Sequence, residues 1–280
     1  MVSVCMITYN QESYIEKAIE SVLMQKTNFP IELVIGEDCS TDRTREICMQ
    51  YRENHPDIIK LRLPEKNMGM IPNFIENLLA CTGKYIAICE GDDYWTDRDK
   101  LQKQVDFLES HEECSFCFHN AEVYYCNTGL SRHFNIKLKT GLYSTKDFLL
   151  KGCIIPTASI LFRKKYLPNP IPGWFYSVIT GDVALELLLS THGDYYYMDE
   201  IMCVYRKNAI NSLSLNLPDL VFYQKTLLNL YTNFFRNNYN NKPFLALYKL
   251  SCLRYDLFKL IIYARYPILE DLKNRVFNKH

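Results

Sequence analysis

Long hydrophobic runs are absent from this 280-residue chain. No stretch of 18 consecutive apolar residues occurs, and the richest C-terminal stretch, Phe244 to Ile262, is broken by Lys249, Arg254, Asp256 and Lys259. A simple membrane-spanning helix is therefore not expected. The opening Met1-Val-Ser-Val-Cys-Met-Ile7 has no basic leader region and no small-residue cleavage site, which argues against a secretory signal. Phosphate-cradling glycine loops are missing too. Neither G-x-x-x-x-G-K-S/T nor G-x-G-x-x-G is present, and Thr82-Gly83-Lys84 stands alone, so a phosphate ligand must be met by metal and side chains. There is no internal repeat and no low-complexity segment. Net charge is also lacking, since 32 Lys+Arg balance 32 Asp+Glu; a surface built throughout for nucleic acid is excluded.

What is present is ample core material, with 48% hydrophobic and 14% aromatic residues. The zero net charge hides a split. Residues 1–220 carry 29 acidic and 22 basic side chains, whereas residues 221–280 carry 3 acidic and 10 basic. The 11 cysteines are odd in number and lie mostly in apolar runs, the usage of small core residues in a reducing compartment. A cytoplasmic protein is expected. Cys114 and Cys117 have metal-like spacing beside His111 and His119, but the stretch reads as a strand with packed thiols.

The first 110 residues alternate strand and helix patterns. Strands are expected at Val2–Ile7, Ile31–Ile35, Ile58–Leu63 and Lys84–Cys89, with helices from Ser13, over Thr41–Tyr51, and near 71–80 and 98–110. Short strands joined by crossover helices predict an α/β fold with a mostly parallel sheet. From 114 to 205 the pattern is mixed. Strands are expected at Ser115–His119, Ala158–Phe162, Tyr195–Met198 and Met202–Tyr205, and a buried helical stretch at Val183–Ser190. After Pro218 helices are expected at 219–236, 243–264 and 267–277.

Ligands of open α/β sheets bind beyond the carboxyl ends of the strands. The loops there read Thr8-Tyr-Asn-Gln-Glu12, Glu37-Asp-Cys-Ser-Thr-Asp42, Pro64-Glu-Lys-Asn-Met-Gly69 and Glu90-Gly-Asp-Asp-Tyr-Trp95. Helix capping accounts for Thr41 or Asp42. It does not account for Asp92 and Asp93, which precede an aromatic pair. Adjacent acids after a buried strand repel, and a divalent cation is the simplest compensation; oxygen-only ligands favour Mg²⁺ or Mn²⁺.

Taken in order, these loops resemble glycosyltransferase family 2, the inverting, nucleotide-sugar-dependent enzymes of GT-A fold. The resemblance rests on Val2-Ser-Val-Cys-Met-Ile-Thr-Tyr-Asn10, Ile35-Gly-Glu-Asp-Cys-Ser-Thr-Asp42, Asn67-Met-Gly69, Gly83-Lys-Tyr-Ile-Ala87, Glu90-Gly-Asp-Asp-Tyr-Trp95 and Lys100-Leu101. It continues through Gly181-Asp182 to Asp199-Glu-Ile-Met-Cys-Val-Tyr-Arg206, about residues 2–206 in all. It implies that Tyr9 stacks on a nucleobase and that Asp38 binds its imide, which suits uracil. It further implies that Asp92 faces ribose and sugar, that Asp93 holds Mn²⁺ or Mg²⁺ against the diphosphate, and that Asp182 is the catalytic base. Thr8, Asn10, Glu12 and Asn67 complete the donor side, and His119, Trp95, Trp174 and Arg206 are acceptor-side candidates. Glu37 stands where Asp is usual, and Asn208 where many relatives have His. The Q-x-x-R-W motif of processive synthases is missing, so single sugar addition is expected.

Some of these residues admit plainer readings: His119 as a core residue, Trp95 as a plug behind the metal loop, Asp182 as a helix cap. The implied division is a catalytic domain over 1–212 and a helical extension over 213–280. The expected activity is transfer of one sugar from a nucleotide-diphosphate donor to a hydroxyl of a glycan or lipid-linked acceptor, as in surface polysaccharide assembly. The alternative is a non-catalytic sugar-nucleotide-binding scaffold of the same fold. The basic 221–280 segment is expected either to pack its helices on the domain or to contact an anionic membrane face.

Overall fold

A computed structural model describes residues 1–147 and 154–212, together with Leu230 and Phe234. The chain divides into two compact units, Met1–Leu227 and Leu228–His280. The helices expected after Pro218 and their basic face lie outside the described residues, apart from Leu230 and Phe234, which are helical and buried.

The amino-terminal half is a run of strand–helix crossovers: β1 (Val2–Thr8), α1 (Ile15–Leu23), β2 (Ile31–Glu37), α2 (Thr44–Asn54), β3 (Ile59–Arg62), α3 (Met70–Ala80) and β4 (Tyr85–Ile88). These strands pair in parallel in the order β3-β2-β1-β4, with Val4 opposite Leu33 on one side and Ala87 on the other. Strands covered on both faces need apolar residues at nearly every position, which is why they read as continuous apolar runs. The helices supply the cover: Ile15, Ala18, Ile19 and Val22 of α1 are fully buried, the two isoleucines and the valine contributing roughly 1.5–3 kcal/mol each.

The second half adds β5 (Tyr94–Trp95), α4 (Lys100–Ser110), β6 (Cys114–Tyr125), β7 (Leu130–His133), β8 (Gly141–Tyr143), β9 (Leu161–Arg163), α5 (Gly181–Ser190) and β10 (Asp194–Lys207). One sheet results, in the order β3-β2-β1-β4-β9-β6-β10-β5, with β7 on β6 and β8 on β10. The fold is α/β around a central, mostly parallel sheet, and β9, β5, β7 and β8 are its antiparallel members. Three expected strands need correcting. The stretch Ala158–Phe162 begins as a 3-10 turn, Thr157–Ser159, because Pro156 opens a turn that the Ser159 hydroxyl closes on the Pro156 carbonyl at 2.6 Å. The expected strands Tyr195–Met198 and Met202–Tyr205 are one long β10. A register irregularity between Met198 and Ile201 lets it pass the polar Asp199-Glu200 pair without ending.

Two amides bind α3 to the sheet. Asn77 Nδ2 donates to the Met6 carbonyl at 3.0 Å and the Val34 carbonyl at 2.8 Å, and Asn73 Nδ2 donates to the Gly36 carbonyl at 2.8 Å. Gly36 has no room for a side chain there: a Cβ would sit 2.5 Å from Asn73 Oδ1.

The two ends of the sheet treat buried acids differently. At the amino end, Glu32 accepts hydrogen bonds from Ser3, Lys60 and the Thr82 N–H and hydroxyl. Burial raises its pKa, but these donors prevail and hold it down at about 2. At the carboxyl end of β4 the acids are not so compensated.

Candidate active site

Beyond the carboxyl ends of β1, β2 and β4 lies a cavity of about 390 Å³. Thr8 and Tyr9 reach it from β1, Asp38 from β2, Asn67 from the β3–α3 loop, and Glu90 and Asp92 from the loop after β4. Later parts of the chain complete the lining with Phe134, Ile155-Pro156-Thr157, Thr180-Gly181-Asp182, Tyr205 and Asn211-Ser212. Six candidates separated by up to 174 positions, Thr8, Tyr9, Asp38, Asn67, Asp92 and Asp182, thus share one cavity.

Hydrogen bonds between loops shape the floor. Asp38 accepts the Met68 N–H at 2.7 Å and the Gly69 N–H at 2.9 Å, while Asn67 Nδ2 donates to its carbonyl at 3.0 Å. Gly69 adopts φ +86°, a conformation glycine reaches without a Cβ clash. Asn10 at φ 51° and Cys39 at φ 61° are left-handed without being glycine, a local cost of the sort found where loops are held for function. Asn10 receives the Thr41 N–H on Oδ1 at 2.8 Å and gives its own N–H to Ser40 Oγ at 2.9 Å. Glu12 accepts the Arg43 N–H at 3.0 Å, and Asp42 accepts the Thr44 N–H at 2.9 Å, so these two residues serve the start of α2. Asn10 and Glu12 tie the β1 and β2 loops together and do not line the cavity. Glu37 is fully buried; it takes the Ser40 N–H at 2.7 Å and pairs with Arg45. The residue that departs from the family pattern is thus a loop pin outside the cavity.

Acids converge on the other side of the floor. Burial pushes Glu90 well above the ordinary carboxylate range, reinforced by Asp92, Asp93 and Asp182. Burial likewise raises Asp92 to about 6, opposed by Arg206 and by a hydrogen bond from Gln11. Asp93 moves up through burial and the Asp92 charge. Asp93 is only 1% exposed and does not line the cavity; its Oδ1 accepts the Arg206 N–H at 2.8 Å. Arg206 donates from its guanidinium to the Asp92 carbonyl at 2.8 Å and sits over the rings of Tyr94 and Tyr14, at 4.5 and 5.2 Å. It braces the acidic loop and does not line the cavity. Gly91 is required by close approach: a Cβ would lie 2.5 Å from Gln11 Oε1 and 2.7 Å from Thr8 Oγ1.

Asp182 sits in the first turn of α5 with Thr180, not Asp182, at the cap position. Part of its surface opens on the cavity. Burial raises its pKa, while the Val183 N–H and the Thr157 hydroxyl, 3.1 Å from Oδ2, pull it back. Gly181 lets the helix start this close to α3, since a Cβ would meet Phe74 Cδ1 at 2.9 Å.

Three acceptor-side candidates are placed elsewhere. His119 is fully buried in β6; its Nδ1 is 2.7 Å from the Asn120 carbonyl, and burial and Lys100 push its pKa well down. It is the core histidine of the plainer reading. Trp95 is 1% exposed, donates to the Ala158 carbonyl at 2.8 Å and lies under Lys100 Nζ at 4.1 Å; it is a plug behind the acidic loop. Trp174 packs against Phe175 in a short 3-10 turn and does not line the cavity. The cavity adds Gln11, Glu90, Phe134 and Tyr205 to the site, and Thr157, expected near the acceptor, lines it as well. Gln11 and Glu90 stand in the loops already flagged by strand-end position. Phe134 lies in an irregular stretch without such a signal.

A divalent cation matches the sign of this acid cluster. In number the protein donors fall short, because no group of three or more His, Cys, Asp or Glu arranged for a metal occurs among the described residues.

The sequence model of Glycosyl transferase family 2 matches residues 3–167, more than half of the chain. The chain belongs to this family. It is 37% identical over 207 residues to the uncharacterized protein Rv1520 of Mycobacterium tuberculosis, covering 74% of this chain and 59% of that protein. The chain therefore spans less than two thirds of the length of these mycobacterial relatives. It is 34% identical over 235 residues to the dTDP-rhamnosyl transferase RfbG of Shigella flexneri, covering 79% and 77%. In fold it is similar to S. aureus TarS 1–349 in complex with UDP-GlcNAc (TM-score 0.64, 16% identity, 86% of this chain and 68% of that one). The mannosyltransferase PcManGT of Pyrobaculum calidifontis, in complex with GDP-Man and Mn²⁺, is similar as well (TM-score 0.59, 17% identity, 89% and 68%). Both support the GT-A fold for this family 2 chain. Among the described residues no helix is long and apolar enough to cross a membrane.

Proposed function

We propose that residues 1–212 form an inverting glycosyltransferase domain, followed by an extension over 213–280. It moves one sugar from a nucleotide-diphosphate donor to a hydroxyl of a glycan or lipid-linked acceptor. The observation that carries this reading is the meeting of Thr8, Tyr9, Asp38, Asn67, Asp92 and Asp182 around one cavity.

Tyr9, 39% exposed at the rim, offers a ring face for the nucleobase. The Asp38 carboxylate already accepts two backbone N–H groups, yet a carboxylate has about four acceptor positions. It can take the imide N–H of uracil, the base in the UDP-GlcNAc complex of TarS, and the thymine of the donor in RfbG's name presents the same imide. Asp92, the acid of the pair that lines the cavity, would hold Mn²⁺ or Mg²⁺, with Asp93 behind it adding negative charge and with diphosphate and water completing the shell; the Mn²⁺ in the PcManGT complex supports this. When bound, the cation supplies charge stabilisation to the leaving diphosphate.

Asp182, across the cavity from the donor residues, accepts the proton of the attacking hydroxyl. Partial burial makes it a stronger base than an exposed Asp, and Thr157 fixes its carboxylate orientation. Attack from this side inverts the anomeric carbon. Asp182→Asn is expected to lower transfer by roughly 10²–10⁴ while nucleotide-sugar binding, read by thermal shift, persists. Near-full transfer by this variant assigns the base elsewhere. Binding without nucleotide release by the wild type, across a panel of acceptors, would establish the scaffold instead.

A further inference from the structure

The acidic balance of residues 1–220 is not uniform. Residues 123–146 contain Arg132, Lys137, Lys139 and Lys146 and no Asp or Glu. All four cations are exposed, and none forms an ion pair among the described residues. Interleaved with them are apolar side chains turned to solvent: Leu130 is 68% exposed, Ile136 76% and Leu142 53%. Among the described residues the nearby carboxylates pair with none of the four: Glu122 faces His133 across the β6–β7 ladder, Asp147 is bonded to Ser144, and Asp199 accepts from Asn120 and the Tyr197 hydroxyl.

This stretch is anchored and runs into the site. Asn135 exchanges hydrogen bonds with Asn120 of β6 and donates to the Ile154 carbonyl at 2.7 Å. Around it lies an open hollow of about 460 Å³ lined by Phe134, Asn135, Ile136, Lys137, Leu138 and Ile154. Phe134 also lines the catalytic cavity, and Ile154 leads directly into Ile155-Pro156-Thr157 on its Asp182 side. The hollow therefore continues the cavity on the acceptor side, away from the nucleotide loops.

Resting on the transferase reading, we propose that residues 130–142 seat the phosphate and adjoining hydrocarbon of a lipid-borne acceptor presented at a membrane surface. Cations alone would suit any anionic glycan. The exposed Leu130, Ile136 and Leu142 specify that the anion comes with an apolar chain, as interfacial binding combines apolar burial with attraction to anionic lipid. The hydroxyl to be glycosylated then passes Phe134 to reach Asp182.

The test uses the full chain and phosphatidylcholine vesicles, with and without a minor fraction of polyisoprenyl phosphate. Wild type is expected to bind the doped vesicles preferentially. Lys137→Gln with Lys139→Gln is expected to weaken that binding roughly 30-fold, and Ile136→Ser to weaken it further. Thermal shift with a nucleotide sugar should be the same in all variants. Equal binding to neutral vesicles overturns the proposal, as does a loss obtained only by neutralising the basic residues of 221–280. Displacement by water-soluble glycosyl phosphate as effective as by the lipid also overturns it. Absence of any nucleotide-sugar shift in the wild type would sink the transferase reading, independently of the vesicle result.

Discussion

Replacing Glu186 with Gln should stabilise this protein at neutral pH and leave it nearly unchanged in acid. Glu186 lies in α5, one turn after Asp182; it is fully buried, and neither carboxylate oxygen has a hydrogen-bond partner. Burial, with Asp182 adding to it, raises its pKa well above the ordinary range. The sign follows from proton linkage. A carboxyl whose folded pKa is raised stabilises the fold fully below its unfolded value, near 4.3. That stability is lost as pH rises toward the folded pKa, because the unfolded chain then gains by ionising. Each pH unit in that window removes about 1.4 kcal/mol. For as long as the native carboxyl stays protonated, two pH units above pH 5 remove ~2.7 kcal/mol from the wild type through this group alone. Glu186→Gln has no such slope, so the difference between variant and wild type should grow by that amount. For a chain of this size about 2–4 °C accompanies each kcal/mol, which places the relative gain in melting temperature near ~5–10 °C. Denaturant unfolding and thermal melts at pH 5, 6, 7 and 8 measure it. Parallel pH profiles for variant and wild type would refute the reasoning, since other raised acids, Glu90 among them, are common to both proteins.

Three further outcomes are expected. Thr157→Val removes the hydroxyl that favours ionised Asp182, so the acidic limb of the transfer pH profile should move to higher pH with donor affinity unchanged; an unmoved limb would remove Thr157 from the base's environment. Gly91→Ala drives a methyl into Gln11 and Thr8 and should weaken nucleotide-sugar binding while costing about 1–3 kcal/mol of stability, read by titration and denaturant melts. Asp38→Ala leaves the Met68 N–H without its acceptor and the Gly69 N–H with Asn67 Oδ1 alone and should cost ~1–3 kcal/mol, with loss of donor binding in the thermal shift.

The parallel half of the fold was legible because its strands are buried on both faces. Val2–Ile7 or Ile31–Ile35 has little freedom to be anything but an apolar run between polar loops. The sheet's later members were harder to read for the opposite reason. Every residue of Leu130–His133 is exposed, so no alternation marks it as a strand, and Gly141–Tyr143 is only three residues long. In β10 the irregularity at Asp199-Glu200 divides the apolar pattern in two, although the backbone continues. The site divides similarly. Strand-end position is a topological property, and it brought Thr8, Asp38 and Asp92 to the cavity. Which way each side chain turns depends on its neighbours. Of the adjacent acids, Asp92 lines the cavity, whereas Asp93 turns to the Arg206 backbone. Trp95 and His119 were ambiguous because aromatic and imidazole rings serve core and binding site alike; their carbonyl partners, Ala158 and Asn120, were visible only in three dimensions.

The amide staples between α3 and the sheet have a consequence for how the cavity can vary. Asn73 lines the cavity and is itself bonded to the Gly36 carbonyl, and Asn77 grips β1 and β2 from the same helix. Sliding α3 along β2 would break those bonds inside the core and drive Gly36 against Asn73, so this wall behaves as a fixed jaw. The facing wall, from Ile155 to Thr157 and from Thr180 to Asp182, is built from turns and a helix start. Gly181 rests on Phe74 of the fixed jaw, so remodelling of the facing wall is confined to the residues on either side of that contact.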